Sequence, residues 1–132
     1  GFTPTFDEGL KERNFDSLEG TPVPQSMSQD PTTRAKEFMT FWYSPPKGVE
    51  SIDDFYGRVK TATEDNLTVN DTLVVAHGGV LRALLDLMQK QQYLTQNVYA
   101  NARPIRLERS ASDGGWRFFA YSQSNRGFVE LD

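Results

Sequence analysis

The residues best placed to do chemistry fall in two short runs far apart in the chain. One is Thr72-Leu73-Val74-Val75-Ala76-His77-Gly78-Gly79-Val80-Leu81-Arg82-Ala83-Leu84-Leu85. Thr72–Ala76 reads as a short, buried parallel strand. Gly78-Gly79 then allows a sharp turn into a helix. In open α/β sheets ligands sit off the carboxyl ends of strands, and the free N–H groups of the following helix favour an anion. His77 stands at that junction, where it can hold a phosphoryl oxygen. Gly78 and Gly79 let that oxygen approach the main chain. A lone histidine at a strand end is read equally well as a hydrogen-bonding residue without a catalytic part. A Gly-Gly pair after a strand is a weak signal alone. The other run is Leu10-Lys11-Glu12-Arg13-Asn14-Phe15-Asp16-Ser17-Leu18-Glu19-Gly20. It has no clean periodicity and reads as an active-site-type loop. On residue types alone, Glu12 is a surface carboxylate and Arg13 its exposed neighbour.

The elements around these runs are those of one α/β domain of 132 residues. Thr21–Thr32 carries three prolines and reads as a surface loop. Thr33–Tyr43 has helical spacing in Ala35, Phe38, Met39 and Trp42 and is stopped by Pro45-Pro46. Its aromatics either line a substrate entrance or, as large side chains more often do, pack a lid helix onto the core. Ser51 with Asp54 resembles a capping box, and Ile52, Phe55, Val59 and Ala62 share one face of the helix it would open. Asn70-Asp71 is a turn. Val80–Lys90 carries an apolar stripe of Leu81, Leu84, Leu85 and Met88, and Gln89–Asn97 loops back. Pro104–Arg109 and Trp116–Tyr121 flank Ser112-Asp113-Gly114-Gly115, a strong hairpin signal.

Bulk properties narrow the function classes. The net charge is 14 − 18 = −4, with no basic stripe, so neither nucleic acid nor an anionic membrane is an expected partner. The absence of cysteine excludes thiol nucleophiles, disulfides and thiolate-bound metals. The apolar stretch Leu73–Met88 is interrupted by His77, Arg82 and Asp86, so no membrane span is expected. One histidine among scattered carboxylates makes no metal ligand set. No Gly-x-Gly-x-x-Gly or Walker-type run supports a nucleotide-binding α/β domain at Gly78-Gly79.

Four motifs, in order, carry a family resemblance. Leu10-x-Glu12-Arg13-x-Phe15-x-x-Leu18-Glu19-Gly20, Gly48-x-Glu50-Ser51 with Arg58, His77-Gly78-Gly79-Val80-Leu81-Arg82, and the Asp-Gly-Gly hairpin with Trp116 together resemble the histidine phosphatase superfamily, which includes the cofactor-dependent phosphoglycerate mutases. The resemblance implies a three-layer α/β/α fold with a mostly parallel sheet and a C-terminal antiparallel hairpin. It implies phosphoryl transfer through a phosphohistidine, with a carboxyl group as acid and then base. Glu12 matches the acid/base, His77 the second histidine of the phosphate pocket, and Arg13 a substrate-side position of the mutase branch. Gly78 follows as a backbone contact to the substrate. Arg82 is expected to be an ion-pair or packing residue. Glu50, Ser51 and Arg58 are expected to be structural, as dipole partner, cap and helix surface.

The match has gaps. The family's Arg-His-Gly nucleophile motif and the arginine after its first helix are absent, and the flanks of His77, the sole histidine, fit the second motif. The absent segment would carry the first central strand. A domain of this size tolerates that loss badly, so the expectation is an N-terminally incomplete domain over 1–132, consistent with Gly1 in place of Met. The short 20–48 segment, with its aromatic helix, resembles the phosphatase branch more than the mutase branch. The expected function is therefore a phosphomonoester hydrolase with its nucleophile outside these residues. The alternative is an inactive phosphate-binding module. A small phosphorylated substrate or inorganic phosphate is the expected partner, no cofactor is implied, and the compartment defaults to the cytoplasm. Substrate identity and oligomeric state stay open.

Overall fold

A computed structural model describes residues 3–20, 28–67, 72–92 and 103–131. In order they form 3₁₀ turns at Glu8–Leu10 and Asp16–Leu18, helices α1 (Pro31–Tyr43), α2 (Ile52–Asn66) and α3 (Gly78–Leu87), and strands β1 (Ile105–Arg109), β2 (Trp116–Ser122) and β3 (Gly127–Glu130). Backbone contacts divide the chain into two compact units, Gly1–Val80 and Leu81–Asp132. The expected turn at Asn70-Asp71, most of the loop expected over 21–32 and part of that over 89–97 lie outside the described residues.

In the first unit, α1 starts where Asp30 accepts from Thr33 N at 2.7 Å, with Pro31 in its first turn. It stops before Pro45-Pro46, with Ser44 N donating to Thr40 O at 2.8 Å. Only Trp42 of its apolar residues is buried. Phe38 and Met39 remain open to solvent, although Phe38 stacks on Trp42 and Phe41 on Phe15, each pair with centroids 6.0 Å apart. Helix α2 follows the expected face: Phe55, Val59 and Ala62 are buried. Trp42 meets the Phe55 ring edge-on at 5.9 Å, and full burial of a ring such as that of Phe55 stabilises by about 1.5–3 kcal/mol. Ser51 caps α2 by accepting from Asp54 N at 3.1 Å. The short Asp54 side chain accepts from the Ser51 hydroxyl at 2.7 Å and does not take up the glutamate role of a capping box.

The strand expected over Thr72–Ala76 is not formed. Residues 72–77 have no regular secondary structure, and Leu73 and Val75 are 89% and 88% exposed. A buried strand needs ladder partners for its N–H and C=O groups, and the sheet among the described residues is formed by other strands. The only sheet among the described residues is antiparallel. The described residues therefore form a mixed helix-and-sheet structure, with no parallel strand pairing among them.

In the second unit, β1 and β2 form the expected hairpin, with Leu107 opposite Phe118 and Arg109 opposite Trp116. Its turn contains Gly114 at φ +70°, a conformation that side chains disfavour. β3 adds a strand that periodicity did not reveal, with Val129 opposite Ala120. Leu85 and Phe118 are fully buried among Leu81, Met88, Ile105, Leu107, Trp116 and Leu131. On the other face Arg106 lies over the Phe119 and Phe128 rings, at 4.4 and 5.0 Å from their centroids. Arg117 forks onto Glu130 at 2.7 and 2.6 Å.

Candidate active site

The site is built on the loop Asp7–Asn14 of the first unit. The loop has little apolar surface to bury, so polar ties shape it. Asp7 accepts from Gly9 N at 2.8 Å and from Asn66 Nδ2 at 2.6 Å. At the far end Asn14 exchanges two bonds with Glu50: Glu50 N donates to Asn14 O, and Asn14 N to Glu50 Oε2, each at 2.9 Å.

Glu12 projects from this loop onto the start of α3. Its Oε1 accepts from Arg13 N at 2.9 Å and its Oε2 from Gly79 N at 3.1 Å. A carboxylate at a helix amino end is favoured by the unpaired N–H groups and the helix dipole. Glycine is required at 79 by this approach. A Cβ there would overlap Glu12 Oε1 and lie 2.9 Å from Glu12 Cδ and 3.0 Å from Trp42 Cη2. The edge of the Trp42 ring thus forms an apolar wall beside the carboxylate. His77, two residues before Gly79, is exposed, and its ring makes no hydrogen bond to a described residue. The Glu12 carboxylate therefore meets the amino end of α3 at Gly79, two residues after His77.

Arg13 is placed otherwise than on an open substrate side. It is 1% exposed, with Nε donating to Glu50 O at 2.8 Å and Nη1 to Trp42 O at 2.6 Å. Its guanidinium stacks over the Trp42 ring at 5.1 Å. Burial lowers its pKa, and the charges of Glu50 and Tyr56 offset part of that. Nη2 is buried and has no hydrogen-bond partner among the described residues. Arg13 ties the loop to α1 and to the residue before the Ser51 cap.

Arg58 and Glu50 are more than the helix surface and dipole partner expected of them. Arg58 donates to Glu50 Oε1 and Oε2 at 2.7 and 2.9 Å, and to the carbonyls of Gly9, Lys11 and Glu12 at 3.0, 2.8 and 2.9 Å. Charge-assisted, forked bonds of this kind are the strong class. The hydrogen bonds from Arg58 lower the Glu50 pKa below the ordinary glutamate range, against the opposing effect of burial. The same pairing raises the pKa of Arg58. A depressed carboxylate pKa contributes stability that is complete above the unfolded value and is lost as the pH falls through the folded one. Glu50→Gln should thus cost stability at pH 6, and the difference from the parent should shrink below about pH 4.3. Urea unfolding of both proteins across pH 3–6 measures it; a constant difference would show that the charge of Glu50 contributes nothing.

Among the described residues no three His, Asp or Glu side chains gather closely enough to hold a metal ion, and no helix is long and apolar enough to cross a membrane.

These features define a mixed helix-and-sheet protein whose first unit sets a loop carboxylate against a glycine-started helix amino end. The model of the histidine phosphatase superfamily (branch 1) matches residues 1–120, and the chain belongs to that superfamily. No curated protein and no solved structure gave a match.

Proposed function

We propose that the protein is a phosphomonoester hydrolase of the phosphatase branch, acting through a phosphohistidine whose nucleophile lies outside residues 1–132. The observation that carries this reading is the bond from Gly79 N to Glu12 Oε2 at 3.1 Å. It brings a potential proton carrier to a helix amino end suited to a phosphoryl group.

In this reading His77 and the backbone at Gly78 hold equatorial phosphoryl oxygens and stabilise charge as it develops. The nucleophilic imidazole nitrogen forms a bond to phosphorus as the bond to the leaving oxygen breaks. Glu12 gives its proton to that oxygen. Water then attacks the phosphohistidine, Glu12 takes the water's proton, and inorganic phosphate leaves with both groups restored. Arg13 acts from within the loop as a support, since its donors are directed at backbone carbonyls. Trp42 keeps bulk water from one side of the carboxylate.

Rapid quenching of the polypeptide expressed from its natural reading frame with a labelled aryl phosphate tests the scheme. An acid-labile, base-stable phosphoryl-enzyme is the expected result. Saturable phosphate binding with no such species would replace the enzyme by a phosphate-binding module. Label on His77 itself would overturn the assignment of the nucleophile.

A further inference from the structure

We infer that Arg58, locked in place by Glu50, is the positioning residue for the Glu12 carboxylate. This rests on the acid/base role proposed for Glu12. Arg58 sits on the second turn of α2, 46 residues along the chain from Glu12. Its bond to Glu12 is to the backbone carbonyl, and the carboxylate feels only its charge. Its forked donors take the carbonyl of Glu12 and those of Lys11 and Gly9, and reach the Glu8 carbonyl at 3.5 Å. The carbonyls of Glu8, Gly9 and Lys11 precede the Glu12 side chain, and its own carbonyl follows it directly. Glu50, which orients Arg58, takes the other side by accepting from Asn14 N and donating to Asn14 O. The main chain is thereby held both before and after the carboxylate.

The geometry also says why arginine is needed. Five acceptor groups, four carbonyls and one carboxylate, surround a planar group with five N–H donors. A lysine ammonium has three donors and no fixed plane, so it keeps the charge and loses the fork. The stack of the guanidinium over the Phe55 ring at 4.8 Å fixes that plane. With the backbone immobile, the Glu12 side chain moves only about its own rotors, from Gly79 N toward a leaving oxygen. Proton transfer is sensitive to that alignment, and a misplacement of about 1 Å costs about 10²-fold in rate.

Leaving-group dependence separates positioning from general support. An alkyl phosphate needs its oxygen protonated as the bond breaks, whereas 2,4-dinitrophenyl phosphate does not. The value of kcat/KM reports the first phosphoryl transfer for both. In the natural full-length polypeptide, Arg58→Lys should lower kcat/KM for the alkyl phosphate about 10²-fold. For the dinitrophenyl ester the change should stay within about threefold. In a Glu12→Gln background, Arg58→Lys should add nothing further, because the group it aligns is gone. If Arg58→Lys does not fold, Glu50→Asp, which draws the carboxylate back from Arg58, should give the same substrate-selective loss in smaller measure. Equal losses on both substrates, or losses additive with Glu12→Gln, would reduce Arg58 to a general structural residue and overturn the inference. If Glu12→Gln itself fails to discriminate between the two esters, the proposed acid/base role falls first, and the two failures are told apart.

Discussion

Glu12→Gln should lower kcat/KM for alkyl phosphates by about 10²–10⁴-fold, the range spanned by a positioned acid or base, and should affect dinitrophenyl phosphate far less. Glutamine keeps the size of the side chain and one acceptor oxygen, enough to hold Gly79 N while its amide nitrogen gives up the bond from Arg13 N. What it removes is the ionisable oxygen. Phosphorylation of the nucleophile by the activated ester should persist, and the phosphoryl-enzyme should accumulate because water loses its base. Pre-steady-state kinetics would show a burst followed by a slow turnover. A Glu12→Gln enzyme that hydrolyses alkyl phosphates at the parent rate would remove Glu12 from the chemistry.

Gly79→Ala should be nearly as damaging to activity, by a different route. Its methyl group would occupy the place of Glu12 Oε1 and press on Trp42 Cη2 from 3.0 Å. Trp42 is wedged against Phe55 and beneath Phe38, so it has little room to retreat. The carboxylate is the softer neighbour and would swing away, breaking the bond to Gly79 N. A loss of about 10²-fold in kcat/KM for alkyl phosphates is expected, with about 1–3 kcal/mol of stability lost to overpacking. Thermal unfolding and kinetics on the same preparation measure both. Unaltered kinetics would mean that the contact between Glu12 and α3 is dispensable. Gly78→Ala offers a comparison one residue earlier.

Much of the element layout was legible in residue order. Local chemistry marks a helix start strongly, and Ser51 and the apolar face of Phe55, Val59 and Ala62 place α2 within a residue. Pro45-Pro46 likewise stops α1, and Asp113-Gly114-Gly115 turns β1 into β2. Strand β3 escaped notice because Gly-Phe-Val-Glu is too short for alternation to stand out. Thr72–Ala76 shows the opposite failure. Its apolar run signals burial, but burial depends on neighbours that the run does not specify. The contact between Glu12 and Gly79 N, 67 residues apart, leaves no trace in periodicity. Arg58 and Glu50 were undervalued because a pattern reading sees side chains, whereas three of their strongest partners are main-chain carbonyls of a distant loop. The interior position of Arg13 was hidden for a similar reason, since its acceptors are carbonyls of Trp42 and Glu50.

Of the described residues 3–20, Arg13 alone is buried. The stretch that carries Glu12 therefore owes its order chiefly to hydrogen bonds and charge. Segments of this kind open at free energies well below that of global melting. Warming would slacken the stretch, and with it the turnover proposed for Glu12, while the β-hairpin still gave its full circular-dichroism signal. The thermal ceiling of the proposed activity would then sit beneath the melting midpoint. Concentrated salt, by weakening ionic ties while sparing apolar packing, would widen the gap between the two.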